Sequence, residues 1–256
     1  MNILVTGANG QLGNEMQILS KAHDKHTYFF TDVMGCEGNI LSLDITDAEA
    51  VNTFVREHEI ELIVNCAAYT NVDKAEDDEQ TAYLINATAV ENLGKAAAAS
   101  EMPYGCKVIH VSTDYVFSGE DHLPYREDDP VAPATAYGRT KRAGEELLLA
   151  ALPDAIIIRT AWLYSEFGNN FVKTMMRLGK EKESLGVVFD QVGTPAYAED
   201  LAVAVFAAIE AEDWHAGIYH FTNESVCSWY DFTMEIHKLY NAQTMLRCYQ
   251  QGKTEP

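Results

Sequence analysis

Residues 1–13 read Met1-Asn-Ile-Leu-Val-Thr-Gly7-Ala-Asn-Gly10-Gln-Leu-Gly13. A short apolar run, Ile3-Leu4-Val5, feeds a turn with a glycine at every third position. The turn opens into a stretch that carries Leu12, Met16 and Leu19 on one helical face. Strand, glycine turn and helix N-terminus in that order let the backbone approach a pyrophosphate and aim free N–H groups at it. Gly7, Gly10 and Gly13 are therefore candidate cofactor-binding positions. Their Gly-x-x-Gly-x-x-Gly spacing is wider than the Gly-x-Gly-x-x-Gly of the common dinucleotide pattern. A glycine triplet alone also fits any tight turn between a strand and a helix.

Working outward, a second strand over Thr27–Thr31 ends in Asp32, 19 positions after Gly13. That is where a ribose-binding carboxylate is expected. Its charge favours a free 2′-hydroxyl over a 2′-phosphate, which leans toward NADH and leaves NADPH open. An ordinary solvated turn acid is the alternative reading of Asp32.

Strand-like and helix-like segments then alternate. Ile60–Cys66 reads as a buried strand and 79–100 as a long Ala-rich helix. Val108–Ser112 reads as a strand, 137–151 as a helix and Ala155–Arg159 as a strand. Each pair implies a right-handed crossover, so the expected architecture is α/β, a Rossmann-like doubly wound parallel sheet. Residues 1–160 form its dinucleotide-binding domain. Residues 161–240 are expected to build a small C-terminal α/β substrate lobe with minor returns to the core. Ser228 is placed as the N-cap of a last helix, with Trp229, Phe232, Ile236 and Leu239 toward a core. Residues 241–256 lack periodicity and read as an atypical tail, truncated or disordered.

Lys+Arg 18 against Asp+Glu 39 leaves a net charge of −21. Such a surface repels nucleic-acid phosphates and anionic lipid, so neither is an expected partner. The five cysteines, Cys36, Cys66, Cys106, Cys227 and Cys248, are odd in number and lack metal-type spacing. Cys66, in an apolar strand, reads as a small core residue rather than a nucleophile. A reducing compartment fits this usage. No signal peptide and no membrane-length apolar run are visible, so a cytoplasmic location is expected.

The chemistry concentrates in Tyr137-Gly-Arg-Thr-Lys141. A Tyr and a Lys four apart share a helix face. A nearby ammonium favours a phenolate and brings the phenol toward useful acidity. On its own this pair is more often a solvated helix face than a catalytic pair. It gains meaning from Ser112-Thr113-Asp114-Tyr115-Val116-Phe117 at the carboxyl end of the preceding strand, where a hydroxyl can bind a carbonyl oxygen. Glycine turn, then Ser/Thr, then Tyr-x-x-x-Lys is an order that makes sense for carbonyl reduction.

The stretches MNILVTGANGQLG, VNCAAYTNVDKAE, VIHVSTDYVFSG, YGRTK, RTAWLYSEFGNNFVKTM and DQVGTPAYAEDLA together resemble the extended short-chain dehydrogenase/reductase family. Within it they are similar to the branch that reduces dTDP-4-keto-6-deoxy sugars. The resemblance implies a dTDP-sugar substrate and NADPH or NADH as cofactor. It places Gly10, Gln11 and Leu12 at the pyrophosphate, Asp32, Asp44 and Ile45 by the adenosine, and Ala68, Tyr69 and Thr70 along the cofactor. It makes Tyr137 the proton donor, Lys141 its electrostatic partner and a holder of the ribose hydroxyls, and Thr113 the group that orients the sugar carbonyl. Asp114 and Trp162 are implied to touch the sugar nucleotide, although Trp162 also fits a core aromatic.

Related dehydratases carry a second acid directly after the Thr-Asp pair, where this chain has Tyr115, which argues against elimination chemistry. An epimerase, and a non-catalytic regulatory subunit of the same fold, remain alternatives. Some relatives bind Mg²⁺ through glutamates matching Glu15 and Glu199, but the third does not match, and no metal site is expected. The resemblance stops near Tyr240, which implies weakened sugar-nucleotide affinity, and the assembly is expected to be a monomer or homodimer.

Overall fold

Ile3, Leu4 and Val5 are all fully buried, which an apolar run achieves when both faces of its sheet are covered. The computed structural model describes residues 1–34, 38–103, 105–241 and 243–250. Cys36 and the last six positions of the expected tail lie outside the described residues.

The strands of the main sheet are β1 (Asn2–Thr6), β2 (Thr27–Asp32), β3 (Leu41–Ser42), β4 (Leu62–Asn65), β5 (Lys107–Thr113) and β6 (Ile156–Thr160). Further on come β7 (Leu163–Tyr164), β8 (Ser184–Val188), β9 (Val192–Gly193), β10 (Ala196–Tyr197), β11 (Gly217–His220), β12 (Cys227–Ser228) and β13 (Met245–Tyr249). The helices are α1 (Gln11–Leu19), α2 (Ala48–Glu57), α3 (Val72–Asp77), α4 (Glu79–Tyr83), α5 (Ala89–Ala98), α6 (Ala136–Ala151), α7 (Phe171–Glu181), α8 (Ala198–Glu210) and α9 (Trp229–Tyr240).

Seven strands join in the order β11-β6-β5-β4-β1-β2-β3, every pair parallel. The expected doubly wound sheet is therefore present. Alternation along its strands divides the core in two. Leu4, Ile63, Val108 and Ile157 face Val51, Val55, Leu93 and Leu148 from α2, α5 and α6. Ile3, Val5, Val64, Ile109 and Ile158 face Leu12, Met16, Leu201, Val205 and Phe206 from α1 and α8. The strand order reverses between β1 and β4, so the crevice beyond their carboxyl ends is where such a sheet takes a ligand.

Beyond residue 160 the chain returns to this sheet twice, through α8 and β11. The remaining segments pair in two-stranded pieces, β10 with β7, β12 with β9 and β13 with β8.

Three expectations are corrected. The helix over 79–100 is interrupted: Leu84–Thr88 is a π-helical turn between α4 and α5. A π-turn arises when a side chain must be aimed off the regular ladder, and here it carries Asn86 inward. Asn86 accepts the Tyr69 N–H at 2.8 Å and donates to the Tyr69 carbonyl and to Thr140 Oγ1, each at 3.1 Å. In α9, Ser228 is the N-cap, in a reciprocal capping box with Asp231. The face α9 buries runs through Thr233, Ile236 and His237, however, and His237 Nε2 meets the Met175 carbonyl of α7 at 3.0 Å. Leu239 lies off that stripe and is 75% exposed. Lastly, the tail forms β13, which lies parallel to β8, while the single Thr244 hydroxyl proton is shared between the Gly179 and Lys182 carbonyls, at 2.9 and 2.7 Å from Oγ1.

Candidate active site

A cleft of about 880 Å³ lies over the carboxyl ends of the central strands. One end is the glycine turn. Gly7 has φ +68°, open to glycine and costly for other residues. A Cβ on Gly13 would sit 2.2 Å from the Gly7 carbonyl oxygen, so α1 starts tight under the turn only because position 13 is bare. The N-cap of α1, Gly10, offers no side-chain hydrogen bond, and Gly10, Gln11 and Leu12 line the cleft. The Gly10 N–H is taken by the Gly7 carbonyl at 3.0 Å, and the first-turn amides of Gln11 and Leu12, at the start of a nine-residue helix, suit a pyrophosphate.

Asp32 ends β2 beside this turn, accepting the Asn9 N–H at 3.1 Å and the Met34 N–H at 3.4 Å. Asp44 and Ile45 line the same wall. The Asp44 carboxylate is already engaged by the Thr46 N–H and hydroxyl, at 2.9 and 2.7 Å. The bare cradle, the uncapped amides and the acid at the β2 end together fit a nicotinamide dinucleotide.

At the other end, Thr113 closes β5 and Tyr137 and Lys141 project from the first turns of α6. Thr135 caps α6 by accepting the Gly138 N–H at 3.0 Å. A Cβ on Gly138 would fall 2.2 Å from the Tyr115 carbonyl oxygen, so this glycine lets α6 close on the loop after β5. Thr113 Oγ1 donates to Asp114 at 3.0 Å and accepts the Tyr115 N–H at 3.3 Å. Burial raises the Asp114 carboxyl to about 6, against the Thr113 bond that lowers it. Burial likewise pushes the Tyr137 phenol up, and a hydrogen bond with Thr113 opposes it. Lys141 is 2% exposed, and burial brings its ammonium down to about 8. Its Nζ donates to the Val111 carbonyl at 2.7 Å.

The cleft wall brings together Gly7, Gly10, Gln11, Leu12, Asp32, Asp44, Ile45, Ala68, Thr70, Thr113, Asp114, Tyr137, Lys141 and Trp162. Two expected cofactor residues stand apart. Gly13 acts through the absence of a side chain below the turn. Tyr69 turns its ring into a small cluster with Ala75, Ala82 and Ala136, because Asn86 holds its backbone on both sides. Trp162 adopts φ +48° and stacks on Trp229 at 3.4 Å, with Gly193 against its ring.

Sequence reasoning counted the segment after Trp162 toward the resemblance but assigned its residues no role. Gly168 and Asn169 line the cleft, and Asn170 Nδ2 donates to Gln11 Oε1 at 2.9 Å. The loop 165–170 thereby closes on the glycine turn, with Gly168 at φ +58°; the Gly168-Asn169-Asn170 run was its local signal in the sequence. Also unmarked was Glu145, fully buried against Arg159, which donates from Nε and Nη2 at 2.8 and 2.7 Å behind Ser112.

Burial lifts the Cys66 thiol to about 12, in keeping with a packing role. Glu15 is buried and accepts from Ser165 Oγ at 2.9 Å, and Glu199 and Glu166 help burial raise its carboxyl. Among the described residues no cluster of three or more His, Cys, Asp or Glu side chains is arranged to hold a metal. No helix among them is long and apolar enough to cross a membrane.

A doubly wound sheet with a glycine cradle at its switch point and a Thr/Tyr/Lys cluster beyond β5 defines an oxidoreductase of the extended short-chain dehydrogenase/reductase type. The sequence matches the family described as RmlD substrate binding domain over residues 1–254, and the chain belongs to that family. It is 40% identical over 248 residues to a dTDP-4-dehydrorhamnose reductase of Aggregatibacter actinomycetemcomitans, covering 95% of this chain and 81% of that protein. Its structure is similar to that of a Clostridium acetobutylicum dTDP-4-dehydrorhamnose reductase, with TM-score 0.89 and 44% identity over 98% of this chain and 84% of the other. A Bacillus anthracis dTDP-4-dehydrorhamnose reductase solved in complex with NADP superposes with TM-score 0.87 and 36% identity, covering 98% and 85%.

Proposed function

We propose that the protein reduces the 4-keto group of dTDP-4-dehydro-6-deoxy-L-mannose to give dTDP-L-rhamnose, using NADPH or NADH. The observation that carries this reading is the convergence of Thr113, Asp114 and Tyr137 at one end of a cleft whose other end is the glycine turn. The division of labour follows: residues 1–160 hold the cofactor, and 161–240 close the sugar end.

The amides of Gln11 and Leu12 receive the pyrophosphate as it passes over Gly10, whose own N–H is taken by the Gly7 carbonyl at 3.0 Å; Asp32 receives the adenosine ribose, and Asp44 with Ile45 the base. Ala68 and Thr70 line the path toward the nicotinamide, which when bound supplies the hydride. Tyr137 gives its phenolic proton to the sugar oxygen as negative charge develops there. Thr113 Oγ1 lies within reach of both Tyr137 and Asp114, so its hydroxyl can turn to that oxygen and fix the carbonyl. The Lys141 ammonium, cationic over most of its population at pH 7, stabilises the phenolate left behind. Trp162 offers its indole edge to the sugar nucleotide.

Reduction is favoured over dehydration because the position after Asp114 is Tyr115. Its ring meets Tyr137 edge-on at 5.4 Å and brings no second carboxylate for eliminating water. The Asp32 carboxylate favours NADH, while the B. anthracis relative was solved with NADP, so both cofactors are accepted on this reading. The protein acts in the cytoplasm as a monomer or homodimer.

The test is one assay. Purified protein, NADPH or NADH and dTDP-4-dehydro-6-deoxy-L-mannose are mixed, cofactor oxidation is followed, and the product is identified by NMR. Sugar-dependent oxidation yielding dTDP-L-rhamnose is expected. Tight cofactor binding with no sugar-dependent oxidation would overturn the reading in favour of a regulatory subunit.

A further inference from the structure

A line of buried polar groups runs beneath the glycine turn from β1 to α6. Thr6 Oγ1 donates to Asn65 Oδ1 at 2.7 Å, and the same oxygen accepts the Ala67 N–H at 3.1 Å. A backbone N–H can only donate, so the Asn65 amide has one sensible orientation. Its NH₂ then faces His110 Nδ1, at 2.9 Å. Nδ1 is thereby an acceptor, and a neutral ring must carry its proton on Nε2. The ring is neutral, since burial first and the neighbouring Lys141 second hold its pKa well below the usual value. Nε2 lies 3.4 Å from Lys141 Nζ, which donates to the Val111 carbonyl at 2.7 Å. An N–H thus points at an ammonium. Only the amine form of the lysine has a lone pair to receive it.

We propose that His110 is a positioning residue for Lys141: held by Asn65 with its Nε2–H toward Nζ, it seats the lysine head on the Val111 carbonyl and favours the uncharged amine. Neither Asn65 nor His110 lines the cleft, so both act through Lys141. Other groups around the lysine set the balance. Glu145, one turn further along α6, favours the ammonium, but its carboxylate is committed to Arg159 and Arg142. Tyr137, one turn back, stays a neutral phenol, and Asp114 beyond it is an anion above about pH 6. Burial lowers the lysine against Glu145 and brings its change of charge to about pH 8; the His110 N–H facing Nζ pushes in the same direction as burial. The catalytic consequence rests on the proposed reductase reading, in which loss of the ammonium removes support for the phenolate and produces an alkaline limb in kcat.

Two measurements separate this inference from that reading. In protein labelled with ¹³C and ¹⁵N at lysine and ¹⁵N at histidine, NMR follows the Lys141 side chain with pH, assigned by Lys141→Arg. Histidine ¹⁵N shifts report the His110 tautomer in the unaltered protein. The expected result is an Nε2–H ring and a Lys141 midpoint near pH 8. In His110→Phe the midpoint should rise by about one pH unit, because the opposing N–H is gone. Asn65→Asp should raise it too, since a carboxylate draws the proton to Nδ1 and leaves Nε2 to accept from the ammonium; this variant serves if His110→Phe does not fold. An Nδ1–H tautomer, or an unmoved midpoint in a folded variant, overturns the proposal whatever substrate the protein uses. In the sugar assay the alkaline limb of kcat should move with the NMR midpoint. If the midpoint moves but the unaltered protein turns over no sugar nucleotide, the reductase reading fails and the role of His110 stands.

Discussion

The glycine turn above Gly13 and the cluster around Tyr137 form the two ends of one cleft and answer to different constraints. Around Gly13 the constraint is space: backbone lies where a Cβ would go, and the groups the proposed reading assigns to the cofactor are amides. Around Tyr137 the constraint is charge. A phenol, a carboxyl and an ammonium are drawn out of water, and each changes its acidity for that reason first. The comparison teaches that a binding end can be specified by a short local pattern, whereas a reacting end needs the surrounding fold to set its protonation.

Substitutions at the two ends should accordingly fail in different ways. The largest effect is expected for Tyr137→Phe, which keeps the ring and removes the proton. Turnover should fall by about 10²–10⁴-fold, while cofactor affinity, read by fluorescence titration, stays close to that of the unaltered protein. Near-normal turnover would mean that the charge-controlled end is not the reacting end.

Gly13→Ala probes the space-controlled end. The new methyl would meet the Gly7 carbonyl at 2.2 Å and Ala8 backbone at 2.6 Å. Neither can move without opening the turn, so cofactor affinity should collapse and stability fall by about 1–3 kcal/mol. A variant with unchanged affinity and urea midpoint would show that the turn is less constrained than its geometry states.

Asp114→Asn sharpens the charge side through pH. The folded carboxyl titrates near 6, above its ordinary value of 3.8. The folded state is thus favoured while the group is protonated, and that advantage is lost as pH rises from about 4 through 6. The asparagine variant lacks this loss, so its stability relative to the unaltered protein should improve by roughly 2 kcal/mol between pH 4 and 7.5. Urea denaturation at both pH values measures it; a constant difference would place Asp114 in a wetter setting. The smallest effect is expected for Ser228→Ala, a residue that does not line the cleft, where loss of the α9 capping box should cost about 1 kcal/mol. Cofactor affinity, measured in parallel, should not change.

Much of this was legible before any tertiary structure. Gly7, Gly10 and Gly13 signal a turn because their spacing is local, and Asp32 follows at a distance set by one helix and one strand. Alternating apolar segments imply the parallel sheet, since only a sheet covered on both faces buries Ile3, Leu4 and Val5 together. The Ser228 cap is equally local. Leu239 was misplaced because apolar spacing does not say which face the neighbour covers, and α7 meets the face of Thr233, Ile236 and His237. The π-turn at Leu84–Thr88 was invisible because Asn86 is inserted by partners at Tyr69 and Thr140, distant along the chain. The ordering of β13 comes from pairing with β8, some sixty residues earlier.

The site divides the same way. Tyr137 and Lys141 share a helix face by spacing alone, and the sequence by itself determined that pair, the glycine cradle and the sheet that carries both. It led one to expect an ammonium that acidifies the phenol. Only the tertiary structure decided that the ammonium rests on the Val111 carbonyl against His110, that Tyr69 turns away from the cleft, and that Asn170 ties the later loop to Gln11. The physical reason is range. Strand, turn and helix preferences are decided within a few residues, whereas desolvation and hydrogen-bond partnership depend on whatever the fold brings alongside.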